Sequence, residues 1–154
     1  MLTKASVGER GAILLGKHVA CDSFDENKPL RVVTHAHYDH MVGLLQSLKR
    51  CEAVVMTPAT KDLIDVMKGP LFLMMGSVKT LHRADHILGA AQVLVEDAEG
   101  TRILYTSDFR LPDTPVVEAD VLVMEATYGN PARVRPFEKV VENALVSLVE
   151  RGLK

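Results

Sequence analysis

The sequence predicts an α/β fold, on three observations. Short apolar runs rich in Val and Ile recur at strand length, Gly, Pro, Asn and Asp punctuate the gaps, and amphipathic stretches with helical spacing sit between and after the runs. In chain order the strand candidates are AILL (12–15), HVAC (18–21), RVVTH (31–35), AVVMT (53–57), VKTLH (78–82), AAQVLVE (90–96), RILYT (102–106) and DVLVMEA (120–126). Gly11, Gly16 and EDAEGT (96–101) mark the turns between them. The first helical stretch, DHMVGLLQSLKR, places Met41, Leu44, Leu45 and Leu48 on one face. The second, TPATKDLIDVMKG, opens with Thr57 as N-cap and Pro58 at the first helical position, and Gly69 can end it. The third, PFEKVVENALVSLVERG, carries Phe137, Val140, Val141, Leu145 and Leu148 on one stripe and stops at Gly152. There is no internal repeat, and the stretch around Pro131 and Pro136 is the best candidate for a boundary.

The 154 residues suit one domain. Hydrophobic residues make up 47% and charged residues 25%, as in a globular protein with a real core, and with no tryptophan that core must be Val, Leu, Ile, Ala and Met. A net charge of −2 gives no global basic signal for nucleic acid, although a local basic groove can sit inside a neutral total. The first residues, MLTKASVGERGAILLG, do not read as a signal peptide, because Glu9 and Arg10 interrupt a short apolar run. No segment approaches the roughly 18 apolar residues of a membrane span, so no membrane partner is expected. Cys21 and Cys51 fit neither a metal spacing nor a disulfide framework, and both are expected to be reduced, buried thiols in a cytoplasmic protein.

The chemistry concentrates in THAHYDHMVG (34–43). Of the chain's six histidines, half fall here, as His35, His37 and His40, with Asp39 among them. RVVTH reads as a buried strand, so His35 falls at its end and His37 two residues on shares its side if the chain stays extended. Asp39 and His40 then open the helix. Imidazole and carboxylate together suit zinc, and also manganese or iron. By composition alone a chance match to H-x-H-x-D-H is on the order of one in a thousand, so a solvated polar loop is the weaker reading.

THAHYDHMVGL resembles the metal-binding loop of the metallo-β-lactamase superfamily. The resemblance extends in order along residues 11–137: HVACDSF supplies Asp22, RADHILGAAQVLVE supplies His86 and ILYTSDFR supplies Asp108. HILGAAQVLVE, LYTSDFRL and VMEATYGNP look like the β-CASP nuclease branch, which includes enzymes of mRNA 3′-end processing, ribonuclease J and DNA cross-link repair. It implies a metallo-β-lactamase αββα sandwich, with residues 1–154 as its N-terminal portion. It implies two Zn²⁺ ions: His35, His37 and His86 on the first, Asp39 and His40 on the second, Asp108 bridging. Asp22 would support a ligand histidine. Catalysis would fall to Asp39, orienting a hydroxide shared by the ions, and to Glu125 at the branch's acidic position. Arg110 would contact phosphate or form a surface ion pair. His18 and His82 read as structural or exposed, and Tyr38 and Tyr128 either as packing residues or as groups that stack on a base.

The branch also uses an inserted domain and two later histidines, one a general acid. This sequence closes on SLVERGLK, and its last histidine is His86. The expectation is therefore a metal-dependent nuclease or phosphodiesterase acting on RNA or DNA, incomplete and with little or no activity by itself. The alternatives are an inactive metal-binding scaffold or subunit and a glyoxalase-II-like ester hydrolase. The apolar GPLFLMMGS (69–77) reads either as core or as a docking patch, and a homo-oligomer or a missing C-terminal segment would cover apolar surface.

Overall fold

The computed structural model describes residues 4–68, 81–133 and 139–152. Two sheets form the centre. The first has five strands in sequence order: β1 (Ala5–Val7), β2 (Ile13–Leu15), β3 (Val19–Cys21), β4 (Leu30–Val32) and β5 (Ala53–Val55). The second has four: β6 (Leu81–Arg83), β7 (Ala91–Glu96), β8 (Arg102–Tyr105) and β9 (Val121–Val123). Strands β3, β4 and β5 run parallel, and so do β8 and β9. Parallel neighbours bring their carboxyl ends to one side, where open α/β sheets usually place ligands.

Alternation along the strands separates two cores. Leu15, Val19, Cys21, Val32 and Val55 of the first sheet meet Val93, Ile103 and Tyr105 of the second. The opposite side of the first sheet presents Val33, Val54 and Met56 to Met41, Leu44 and Ile64. Met41 belongs to a 3-10 turn (Tyr38–Met41), Leu44 to α1 (Leu44–Arg50) and Ile64 to α2 (Pro58–Lys68). The order helix, sheet, sheet is that of a metallo-β-lactamase-like sandwich. A further helix, α3 (Lys139–Gly152), matches the third helical stretch, but Leu145, Val146, Leu148 and Val149 on it remain exposed.

Several expectations change. The first helical stretch is broken: Gly43 takes φ +70 between the 3-10 turn and α1, and a Cβ there would lie 2.7 Å from Phe24 Cβ. The break turns Leu45 outward, where it is 65% exposed, while Leu44 is buried. Strand β4 ends at Val32, so His35 lies beyond it rather than at its end. Cys21 is buried but Cys51 only half-buried, and both thiols are free. Tyr38 and Tyr128 are exposed rather than packed, Tyr38 standing 5.4 Å beneath the Lys68 ammonium. His18 is exposed in a turn. Residues 78–80 of the VKTLH run, the GPLFLMMGS stretch, Pro136 and Phe137 lie outside the described residues.

Candidate metal centre

Three chain segments converge where the two sheets meet. The run after β4 carries His35, His37, Asp39 and His40, the loop before β7 carries His86, and the loop after β8 carries Asp108. Extended backbone joins the sheets here, Ala91 N–H of the second donating to Thr34 O at 3.1 Å, while Val33 N–H donates to Val55 O at 2.9 Å within the first.

One set of donors is His35, His37, His86 and Asp108, whose ligand atoms all lie within 4.8 Å of one another. His35 Nε2 is 3.0 Å and His86 Nε2 3.1 Å from His37 Nδ1. Asp108 Oδ2 lies 4.0 Å from His35 Nε2 and 3.6 Å from His86 Nε2. Donors on a tetrahedral zinc with bonds of about 2.0–2.1 Å stand about 3.3 Å apart, so these spacings straddle what one ion needs. A second set shares the same carboxylate: His40 Nε2 is 3.6 Å from Asp108 Oδ1 and 3.6 Å from Asp39 Oδ2. The two Asp108 oxygens thus face different donor sets.

Ring orientation is controlled from behind. Asp22, buried at the end of β3, accepts from Thr34 N–H at 2.9 Å and lies 2.9 Å from His40 Nδ1. Its acceptor-only carboxylate puts the proton on Nδ1 and leaves Nε2 free to face the carboxylates. The Thr34 hydroxyl also donates to Asp22 at 2.9 Å and accepts from Ser107 Oγ at 2.7 Å. His35 Nδ1 lies 3.1 Å from that hydroxyl and 3.3 Å from Ser107 Oγ, so its Nε2 too is directed into the site. Sequence reasoning passed over Thr34 and Ser107; the only signal was a hydroxyl residue just before a candidate ligand.

Burial, with the neighbouring imidazole of His40, lowers the His35 pKa to about 3. Burial also lowers His86. For His40 burial opposes the charged form, but the hydrogen bond and charge of Asp22 prevail and the net shift is upward. The shifts of His35 and His86 favour the neutral imidazole that a metal ion requires, and that of His40 runs the other way.

No family model matches the chain. Among curated proteins it is 37% identical over 81 residues to an RNase J-like protein of Methanocaldococcus jannaschii, covering 47% of this chain and 19% of that protein. It is 45% identical over 87 residues to cleavage and polyadenylation specificity factor subunit 3 of Dictyostelium discoideum, covering 49% of this chain and 11% of that one. It is 32% identical over 129 residues to a probable DNA ligase of Opitutus terrae, covering 75% of this chain and 12% of the ligase. The chain thus spans a fifth or less of the length of each. A metallo-β-lactamase structure from Cronobacter sakazakii superposes with a TM-score of 0.50 at 14% identity, over 77% of this chain and 62% of that one. The chain is a relative of the β-CASP nucleases of the metallo-β-lactamase superfamily.

In this β-CASP relative the remaining candidates are placed as follows. Asp39 is 80% exposed in its side chain, open to solvent beside His40. Glu125 accepts from Thr127 N–H at 2.6 Å, which holds its carboxylate in a local turn. Arg110 clasps the His86 loop: its backbone N–H donates to Asp85 O at 2.7 Å, its Nε lies 3.4 Å from Asp85 Oδ2, and Nη2 donates to His86 O at 3.4 Å. Arg110 thus takes part in a surface ion pair. Beside His86 an open cleft of about 610 Å³ is lined by Thr57, His82, Arg83, Ile87 and Leu88, among others. Among the described residues no helix is long and apolar enough to cross a membrane.

Proposed function

We propose that the chain forms the metal-binding part of a metal-dependent phosphodiesterase that cleaves nucleic acid. The observation that carries this reading is the division of the Asp108 carboxylate between two donor sets, Oδ2 towards His35 and His86 and Oδ1 towards His40. His35, His37 and His86 would hold one divalent ion and Asp39 and His40 a second, with Asp108 shared; zinc suits the imidazole-rich donors best. When bound, two such ions acidify an attacking water and draw charge from a phosphoryl oxygen.

The protein's own contribution is orientation. Asp22 and Thr34 fix the rings of His40 and His35. Exposed Asp39 would accept a proton from an attacking water and aim it. Arg110 and Asp85 hold the His86 loop against the Asp108 loop. The chain's other histidines, His18 and His82, lie in a turn and on β6, outside the two donor sets, and this reading assigns neither to protonating a leaving oxygen. General acids typically contribute about 10²–10⁴-fold, so turnover by this chain should be slow.

Relatives named as RNase J-like and as a probable DNA ligase make both RNA and DNA substrates to test. The experiment is metal analysis of the purified chain, paired with cleavage of single-stranded RNA and DNA beside an Asp39→Ala control. Up to two ions and slow, chelator-sensitive cleavage lost in the control support the reading. A chain that binds no divalent metal at neutral pH sinks it. Bound metal without cleavage of either polymer favours the scaffold alternative.

A further inference from the structure

Arg31 lies in the middle of β4, between Ala20 of β3 and Val54 of β5, and is completely buried. Burial lowers its pKa to about 10, so it stays positive at neutral pH. Its Nε and Nη1 have no hydrogen-bond partner among the described residues. A buried cation with two unpaired nitrogens is costly, and the charge of nearby Asp22 offsets only part of that cost. Packing therefore does not account for an arginine here.

Its one bond points to another role. Nη2 donates to the carbonyl oxygen of His40 at 3.1 Å. His40 lies in the 3-10 turn Tyr38–Met41, and the last carbonyls of any helical turn lack partners within it. Buried His40 is thus held twice: Asp22 at 2.9 Å fixes the ring through Nδ1, and Arg31 fixes the backbone. Tilting that peptide would swing the side chains of both Asp39 and His40, because they are consecutive on a single tight turn.

We infer that Arg31 is a positioning residue for the second donor set, clamping the His40 carbonyl so that Asp39 and His40 face Asp108. The inference rests on the two-set reading above. It singles out a residue remote from the His37–His86 side and predicts an effect on only one of two ions.

The test is titration of the metal-free chain with Co²⁺, read by visible absorption and by chelator competition, for wild type, Arg31→Met and Arg31→Lys. Wild type should show two steps. Arg31→Met should keep the first and weaken the second by about 10- to 100-fold, the usual effect of removing a group that orients a ligand. Its metal-free thermal midpoint should be lower, because the His40 carbonyl loses its donor and Asp22 loses a nearby positive charge. Arg31→Lys, which keeps a donor of different reach, should weaken the second step by less, again with the first unchanged. Two wild-type steps in Arg31→Met, or equal weakening of both steps in either variant, would overturn the inference and leave the two-set reading standing. If Arg31→Met does not fold, Arg31→Lys decides by the same criteria. Wild type without a second step would overturn both.

Discussion

Asp22→Asn separates charge from shape at the base of the site. Asp22 takes φ +63, a region that Asn tolerates nearly as well as Asp, so the backbone should survive the change. Asn Oδ1 can still accept from Thr34 N–H, a bond of 2.9 Å in the wild type. What disappears is the charged acceptor 2.9 Å from His40 Nδ1. A hydrogen bond to a charged group contributes about 1.5–3 kcal/mol. For a chain of this size, at about 2–4 °C per kcal/mol, the metal-free thermal midpoint should fall by roughly 3–12 °C. The effect on metal is sharper. The Asn amide presents a donor where His40 Nδ1 needs an acceptor, so the imidazole is driven to carry its proton on Nε2. That nitrogen lies 3.6 Å from both Asp39 and Asp108, and once protonated it cannot ligate. Zinc titration should therefore show an intact first step and a second at least 10- to 100-fold weaker. Asp22→Ala is the contrast: it strands buried donors as well and should cost about 3–5 kcal/mol. An Asp22→Asn chain with two wild-type zinc steps would refute the tautomer argument.

Three further outcomes follow from the same geometry. Asp108→Ala removes an oxygen from each donor set, so zinc titration should show both steps weakened; loss of one step alone would contradict a shared carboxylate. Gly89→Ala should displace the His86 loop, because Gly89 has φ +84 and a Cβ there would lie 2.6 Å from Thr60 N; the expected readouts are a lower thermal midpoint and a weaker first zinc step, and unchanged values on both would show that the loop yields. Stability of the metal-free chain should fall from pH 7.5 to pH 5. The folded pKa of His35 is depressed to about 3, so below about 6.5 the unfolded chain takes up a proton that the folded chain refuses. Over the 1.5 pH units from 6.5 to 5 this amounts to on the order of 2 kcal/mol. His86 acts in the same direction. His40 opposes it: its raised pKa gives stability that is full below about 6.5 and lost as pH rises through the folded value. Asp22→Asn should remove that offset and steepen the fall, and a thermal midpoint that rises on acidification would contradict the signs.

What could be read in the sequence was whatever is dense and local. THAHYDH places four polar side chains in six positions, and no packing role accounts for them. Asp22, His86 and Asp108 were picked out by the resemblance to the metallo-β-lactamase loop, and each stands beside an apolar run that became a strand. Strand β1 was missed because Ala5–Ser6–Val7 is short and half-exposed, so its apolar content is too slight to register. The break at Gly43 was missed because its cause is tertiary: Phe24 occupies the space that a side chain at 43 would need. The bond from Ser107 to Thr34 joins residues 73 positions apart, and no periodicity reports such a pair. Arg31 looked like an ordinary charged residue opening a strand, and only its burial and its bond to the His40 carbonyl set it apart.

Two residues other than glycine among those described have positive φ, Asp22 at +63 and Ser107 at +57. Each follows the end of a strand, β3 in one sheet and β8 in the other, and both bond to Thr34 at the seam between the sheets. Such conformations cost of order 1–3 kcal/mol each, and they persist where surrounding structure over-determines them. Here the restraint is a chain of bonds between 2.7 and 2.9 Å from Ser107 through Thr34 to Asp22 and His40. None of these bonds involves a metal ion. The ring nitrogens of His35 and His40 are therefore aimed by protein groups, at the expense of backbone strain. Metal binding should then order little additional backbone. Amide exchange of residues 32–36 and 104–108 should consequently be nearly the same with and without zinc, and strong protection appearing only on metal addition would mean that the ion, rather than this network, builds the site.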